Sequence, residues 1–144
     1  MSRYKFSLDN VLNWRQSEED EAKRSFLVYQ EAQREQEEIL ESIVSASEEM
    51  KKSTLNLVDI NCLRQQYEYK NHLENEIVKQ QQTVNQYMNE TEKMKEVFVG
   101  AQKERKIMER LKEKHYEHYL SEIKYEEQKE LDEMGTLRFG KSAV

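Results

Sequence analysis

The stretch that decides the fold is Ala101–Glu133, AQKERKIMERLKEKHYEHYLSEIKYEEQKELDE. It holds no Gly or Pro, so nothing in it breaks a helix. Its apolar side chains, Met108, Leu111, Tyr119, Leu120, Ile123 and Leu131, form one narrow stripe among charged and polar residues. A helix with so thin an apolar face cannot enclose a globular core. It must lie against another helix or take a partner.

The rest of the chain supplies that second helix. From Leu8 a 4–3 spacing runs through Leu12, Arg15, Glu19, Ala22, Phe26, Tyr29, Gln33, Gln36, Leu40, Ile43, Ser47, Met50, Thr54 and Leu57. Nine of these fifteen positions are apolar, which makes a weak heptad seam, suited to a coil that flexes or exchanges partners. A second ladder follows: Leu63, Leu73, Ile77, Val84, Tyr87, Met94, Phe98, Ala101, Arg105 and Met108. Asn56, Asp59 and Asn61 between the two favour caps and turns, placing a turn at about 56–61.

The expected fold is therefore all-α. Two long helices, about 8–56 and 61–134, form an antiparallel coiled-coil hairpin as a single domain. At the start, Ser7 is placed to cap, Asp9 lies in the first turn, and Phe6 with Val11 would form a hydrophobic staple. Gly100 inside the second ladder costs about 1 kcal/mol against Ala and is a soft spot, not a break. Gly135 reads as the helix stop, with a disordered tail over 135–144.

Composition excludes several classes of function. Of 144 residues, 36% are charged, mean hydropathy is −1.07, and there is no Pro. Such values accompany disorder in many chains, but Glu, Lys, Gln, Leu, Met and Arg are good helix formers, and the apolar positions are periodic. Coiled coil is the better reading. A net charge of −6 argues against nucleic acid as the main partner. The single Cys62 rules out an intramolecular disulfide. No apolar run approaches a membrane span and Met1–Asn10 lacks a signal-peptide core, so the expected compartment is the cytoplasm.

His115, His118 and Glu122 share a helix face at metal-ligand spacing, but nothing on a second helix completes the set, and a solvated face is the better reading. A two-stranded coil offers no pocket for acid–base work, and no phosphate loop or nucleophile motif occurs. No cofactor, metal or enzyme activity is expected.

The arms are unequal. Folding about residue 58 sets Leu8 near Met108 and Leu40 near Ile77, leaving an overhang of ~25 residues, or ~37 Å. There the stripe shifts by about one residue, to Tyr116, Leu120, Ile123 and Leu131. A seam that rotates once its partner ends points at something else. Lys103, Arg105, Lys106, Arg110, Lys112 and Lys114 make a basic band whose start would lie beside Glu18–Glu21 in this register. Trp14 sits off the seam beside Arg15. It is either a binding anchor or a cover over Val11 and the Lys112 region. At mid-coil, Leu40, Ile43, Leu73 and Ile77 cluster, and Ile39 and Val44 make the apolar surface wider than a two-stranded seam needs.

Two stretches carry a resemblance. They are Phe6-x-Leu8-x-x-Val11-Leu12-x-x-Arg15 followed by Glu19 and Ala22, and Lys103–Lys106 with Glu109, Leu111 and the closing Glu127-x-Lys129-x-x-Asp132-Glu133. Their order and spacing resemble the FliJ family of flagellar type III export proteins over nearly the whole chain. Gly135-Thr136 departs from the pattern, since the helix of similar proteins often continues there. The resemblance implies a cytoplasmic stalk, peripheral to the membrane at the flagellar base. Both chain ends would enter the hexameric export ATPase ring, the coil would reach the membrane export gate protein, and export chaperones would be recycled. On that reading Trp14, Arg15, Tyr116, Leu120, Ile123 and Leu131 meet the ring. Ile39, Leu40, Ile43, Val44, Leu73 and Ile77 meet the gate. An injectisome stalk of the same architecture and a parallel homodimeric scaffold built on one continuous helix stay open at this point.

Overall fold

The computed structural model describes residues 4–53 and 59–142. Two helices account for nearly all of it: α1, Asp9–Ser53, and α2, Ile60–Ser142. They pack against each other in antiparallel sense as a coiled-coil hairpin with a longer second helix. That intrachain pairing excludes the single continuous helix of a parallel dimer.

The packing forms two compact units, Met1–Glu19 with Ala101–Val144, and Asp20–Gly100. In the second unit Phe26 stacks on Phe98 with centroids 6.1 Å apart, and the Thr91 hydroxyl, which donates to the Tyr87 carbonyl of its own helix at 2.7 Å, lies 3.3 Å from the Tyr29 carbonyl. Further along, the Gln80 amide donates to the Gln36 side chain at 2.8 Å and to its carbonyl at 3.0 Å. The partners descend along one arm as they ascend along the other.

The core is the seam that the 4–3 spacing marks, and it is thin. Leu73 and Val84 are buried, and so are the polar Ser47 and Thr91. Nearly every other ladder position is half-buried, as a two-stranded coil requires. Leu63 is an exception at 53% exposed, so the second ladder closes only from Leu73 onward.

The helix ends follow local chemistry. At α2, Asp59 is the N-cap: its carbonyl accepts from Leu63 N–H at 3.0 Å and its carboxylate from Asn61 N–H at 3.2 Å. The expected turn at 56–61 falls mostly outside the described residues. At α1 the first helical bond runs from Leu12 N–H to the Leu8 carbonyl at 2.9 Å, which makes Leu8, not Ser7, the cap position. Phe6 is buried, and its ring lies against His115 of α2.

Gly135 does not stop the helix. α2 runs through it to Ser142, and the expected disordered tail over 135–144 is corrected up to that residue. A glycine ends a helix by taking the left-handed conformation, and no described glycine has a positive φ. Without that turn, and with no Pro behind it, Gly135 costs a little stability and the helix continues. Gly100 is likewise helical, and a Cβ there would meet nothing within 4 Å.

A chemical test of the pairing follows from the Gln36–Gln80 contact. With Cys62 changed to Ser, Gln36→Cys combined with Gln80→Cys should oxidise to a disulfide within one chain, read as a monomer of altered mobility on non-reducing gels. Crosslinks forming solely between chains would overturn the hairpin.

Candidate partner-binding end

The unit built from Met1–Glu19 and Ala101–Val144 carries the residues that the resemblance assigns to a ring contact: Trp14, Arg15, Tyr116, Leu120, Ile123 and Leu131. Its seam is polar. Arg105 forms an ion pair with Glu19 across the arms and another with Glu109 on its own helix at 2.8 Å. Lys112 donates to the Asp9 carboxylate at 2.9 Å, and Arg15 lies 3.8 Å from Glu104. The basic band thus divides: Arg105 and Lys112 turn inward, while Lys103, Lys106, Arg110 and Lys114 stay exposed. Within the acidic run Glu18–Glu21, it is Glu19 that meets the band.

These contacts favour the charged cations. The Arg105 guanidinium is held above its ordinary value by hydrogen bonds to Glu109 and Glu19, and the Lys112 ammonium by its hydrogen bond to Asp9. A raised folded-state value means that the Lys112 pair contributes fully below the ordinary lysine range. It is lost only as pH rises through the raised value.

The register is set about one helical turn further along α2 than the fold about residue 58 requires. Asp9 meets Lys112 here, where the sequence set Leu8 beside Met108. Aromatic packing extends the shift. Tyr4, ahead of α1, lies against Tyr116 at 4.9 Å and Tyr119 at 5.0 Å, and shares a hydrogen bond with His115 Nδ1 at 3.1 Å. Tyr4 and Phe6 alternate in a segment too short to be helical, and helical spacing could not reveal them. So Tyr116 has an intramolecular partner, contrary to expectation, and among the described residues nothing is placed against α2 from about Leu120 onward.

Beyond that point the seam positions turn charged, with Glu122, Glu126 and Glu133 where apolar residues would be needed. The apolar stripe moves to the side. Leu120 is 41% exposed and Leu131 62%, while Ile123 is half-buried. Met134 and Leu137, 66% and 68% exposed, continue it. The sequence reading left Met134 out of the stripe and missed Leu137 by ending the helix at Gly135.

Trp14 is 52% exposed, and the Arg15 guanidinium carbon sits 4.6 Å from its ring centroid. It is stacked by its neighbour and not buried. The mid-coil set lies in the other unit. Ile39 is 45% exposed, Leu73 is buried, and Leu40, Ile43, Val44 and Ile77 are half-buried.

Among the described residues no group of acids, histidines and cysteines is placed to hold a metal ion. His118 reaches only Glu122, at 3.5 Å, and His115 is turned to Tyr4. No described helix is long and apolar enough to cross a membrane.

No curated protein and no solved structure matches the chain significantly. A family model does match: residues 4–143 fit that of the flagellar FliJ protein. An antiparallel two-helix coil matched along almost its whole length places the chain in the FliJ family, the non-enzymatic components of flagellar type III protein export.

Proposed function

We propose that this chain is a stalk of the export apparatus, with the end built from Tyr4–Glu19 and α2 seated in the hexameric export ATPase. The observation that carries this reading is the uncovered stripe. An exposed apolar row on a helix that has outrun its partner is unfavourable in water and favours an occupant. Leu120, Ile123 and Leu131 supply the row, Tyr116 its start, and Trp14 with Arg15 a second contact on the other arm. Leu120, 41% exposed, serves binding rather than folding, and Ile123 lies beside it on the same face.

In the same reading the stalk links the ring to the membrane export gate on the cytoplasmic face and hands back export chaperones. Ile39 is the exposed member of the gate-facing set, and Val44 widens it. The other four belong chiefly to the seam and position these two.

The test is a pair of substitutions. Leu120→Asp with Ile123→Asp should shift the melting temperature by less than about 3 °C, because little burial is lost. It should also abolish retention of the export ATPase in a pull-down. Normal retention, or a collapse in stability, would overturn the seating of this end in the ring.

A further inference from the structure

We infer that the occupant of the α2 stripe is an amphipathic helix whose apolar face is bordered by lysine or arginine. The inference deepens the stalk reading, on which it rests for the place of contact, by naming the chemistry of what lies there.

Length comes first. Because α2 continues through Gly135, the stripe runs from Leu120 through Ile123, Leu131 and Met134 to Leu137, interrupted at its middle by Glu127. That is about five turns, or ~25 Å, at helical spacing. A row of that form and length fits a helix laid along it, with anchors at i, i+3/i+4 and i+7.

Charge selects the kind of helix. Residues 120–137 carry six carboxylates and two lysines. Glu122, Glu126, Glu130 and Glu133 recur at spacings of four, four and three, and so form one border of the stripe. Glu122 reaches His118, whereas Glu126, Glu130 and Glu133 form no ion pair among the described residues. A partner with cations along that edge meets an acidic row not engaged within the chain.

The same arrangement rejects a second copy of this chain. In an antiparallel pair like edges meet. Setting Leu120 on Met134 and Ile123 on Leu131 would bring Glu127 against its own counterpart, Glu126 against Glu130, and Glu122 against Glu133. Like charges at the centre and along that edge oppose a symmetric dimer through this face.

The experiment uses the full chain and two synthetic helical peptides of ~20 residues, long enough to span the stripe. Both carry leucine at 4–3 spacing, one with lysine borders and one with glutamate borders. Fluorescence anisotropy should show binding of the lysine peptide and none of the glutamate peptide. Leu120→Gln with Ile123→Gln, which leaves every charge in place, should weaken binding by about tenfold or more. Raising the salt from about 0.05 M to 0.5 M should weaken it several-fold.

Equal binding of both peptides, or binding unchanged in the Gln variant, would overturn the inference. So would a dimer of the full chain, measured by light scattering, that the Gln variant abolishes. The two readings separate cleanly. If the lysine peptide fails while ATPase retention still depends on Leu120 and Ile123, the ring reading stands and the basic-helix inference falls. If the peptide binds and retention does not depend on those residues, the reverse holds.

Discussion

Val84→Asp should unfold the Asp20–Gly100 unit. Val84 is the most buried apolar side chain of the seam, at 3% exposed. A carboxylate there would lose its water, and the neighbouring cross-arm contacts, Gln36–Gln80 and Tyr29–Thr91, are uncharged. The expected cost is about 3 kcal/mol or more, the usual range for an unpaired charge forced into a packed site. A seam with so few buried residues has little in reserve. Circular dichroism should show a melting transition lowered by well over 10 °C, against a modest loss for Val84→Ala. A drop below about 1 kcal/mol would mean that the arms do not close around this position.

Arg105→Glu should be the most damaging single change in the unit built from the chain ends. The side chains of Arg105 and Glu19 are 21% and 14% exposed, far more enclosed than the other ion pairs. Reversing one charge sets three carboxylates together, those of Glu19, Glu109 and the new residue. The expected result is a clearly lowered melting temperature, with a smaller loss than for a fully buried pair because solvent still reaches the site. Glu19→Arg added to Arg105→Glu should recover most of it. The contrast is Glu19→Leu with Arg105→Leu, which should match or exceed the native melting temperature, since an apolar pair avoids the desolvation cost. Low stability in the Leu pair would show that the ion pair adds net stability and does more than select the register.

Much of this architecture is legible in the sequence for a plain reason. The 4–3 spacing from Leu12 to Met50 and from Leu73 to Met108 is a direct record of which side chains face inward, and these positions are the enclosed ones. Polar members of the ladder obey it too, as Ser47 and Gln36 do, because position along a helix, and not hydrophobicity, decides orientation. Spacing does not record the phase between two helices. Each ladder reads the same after a shift by one turn, and the offset that pairs Asp9 with Lys112 is set by individual charges and by Tyr4 and Phe6. The end of α2 was hidden for a different reason. Gly135 has the composition of a stop but not the backbone of one. At the candidate binding end, Leu120, Ile123 and Leu131 were recognisable as a row that departs from the seam. Tyr116 was grouped with them because the segment that covers it carries no periodic signal.

The polar layers have a mechanical meaning. Sliding one arm along the other by a heptad, about 10 Å, would cost a purely leucine seam little, because each leucine would find another. Here the same slip would strand Gln80 away from Gln36, Thr91 away from the Tyr29 carbonyl, and Arg105 away from Glu19. In each unit those penalties oppose the slip. The pairing is therefore stiff against shear even though its thin core makes it easy to peel apart. Within each unit the arms pass on a push or a twist without losing their place, and they part by peeling and not by sliding.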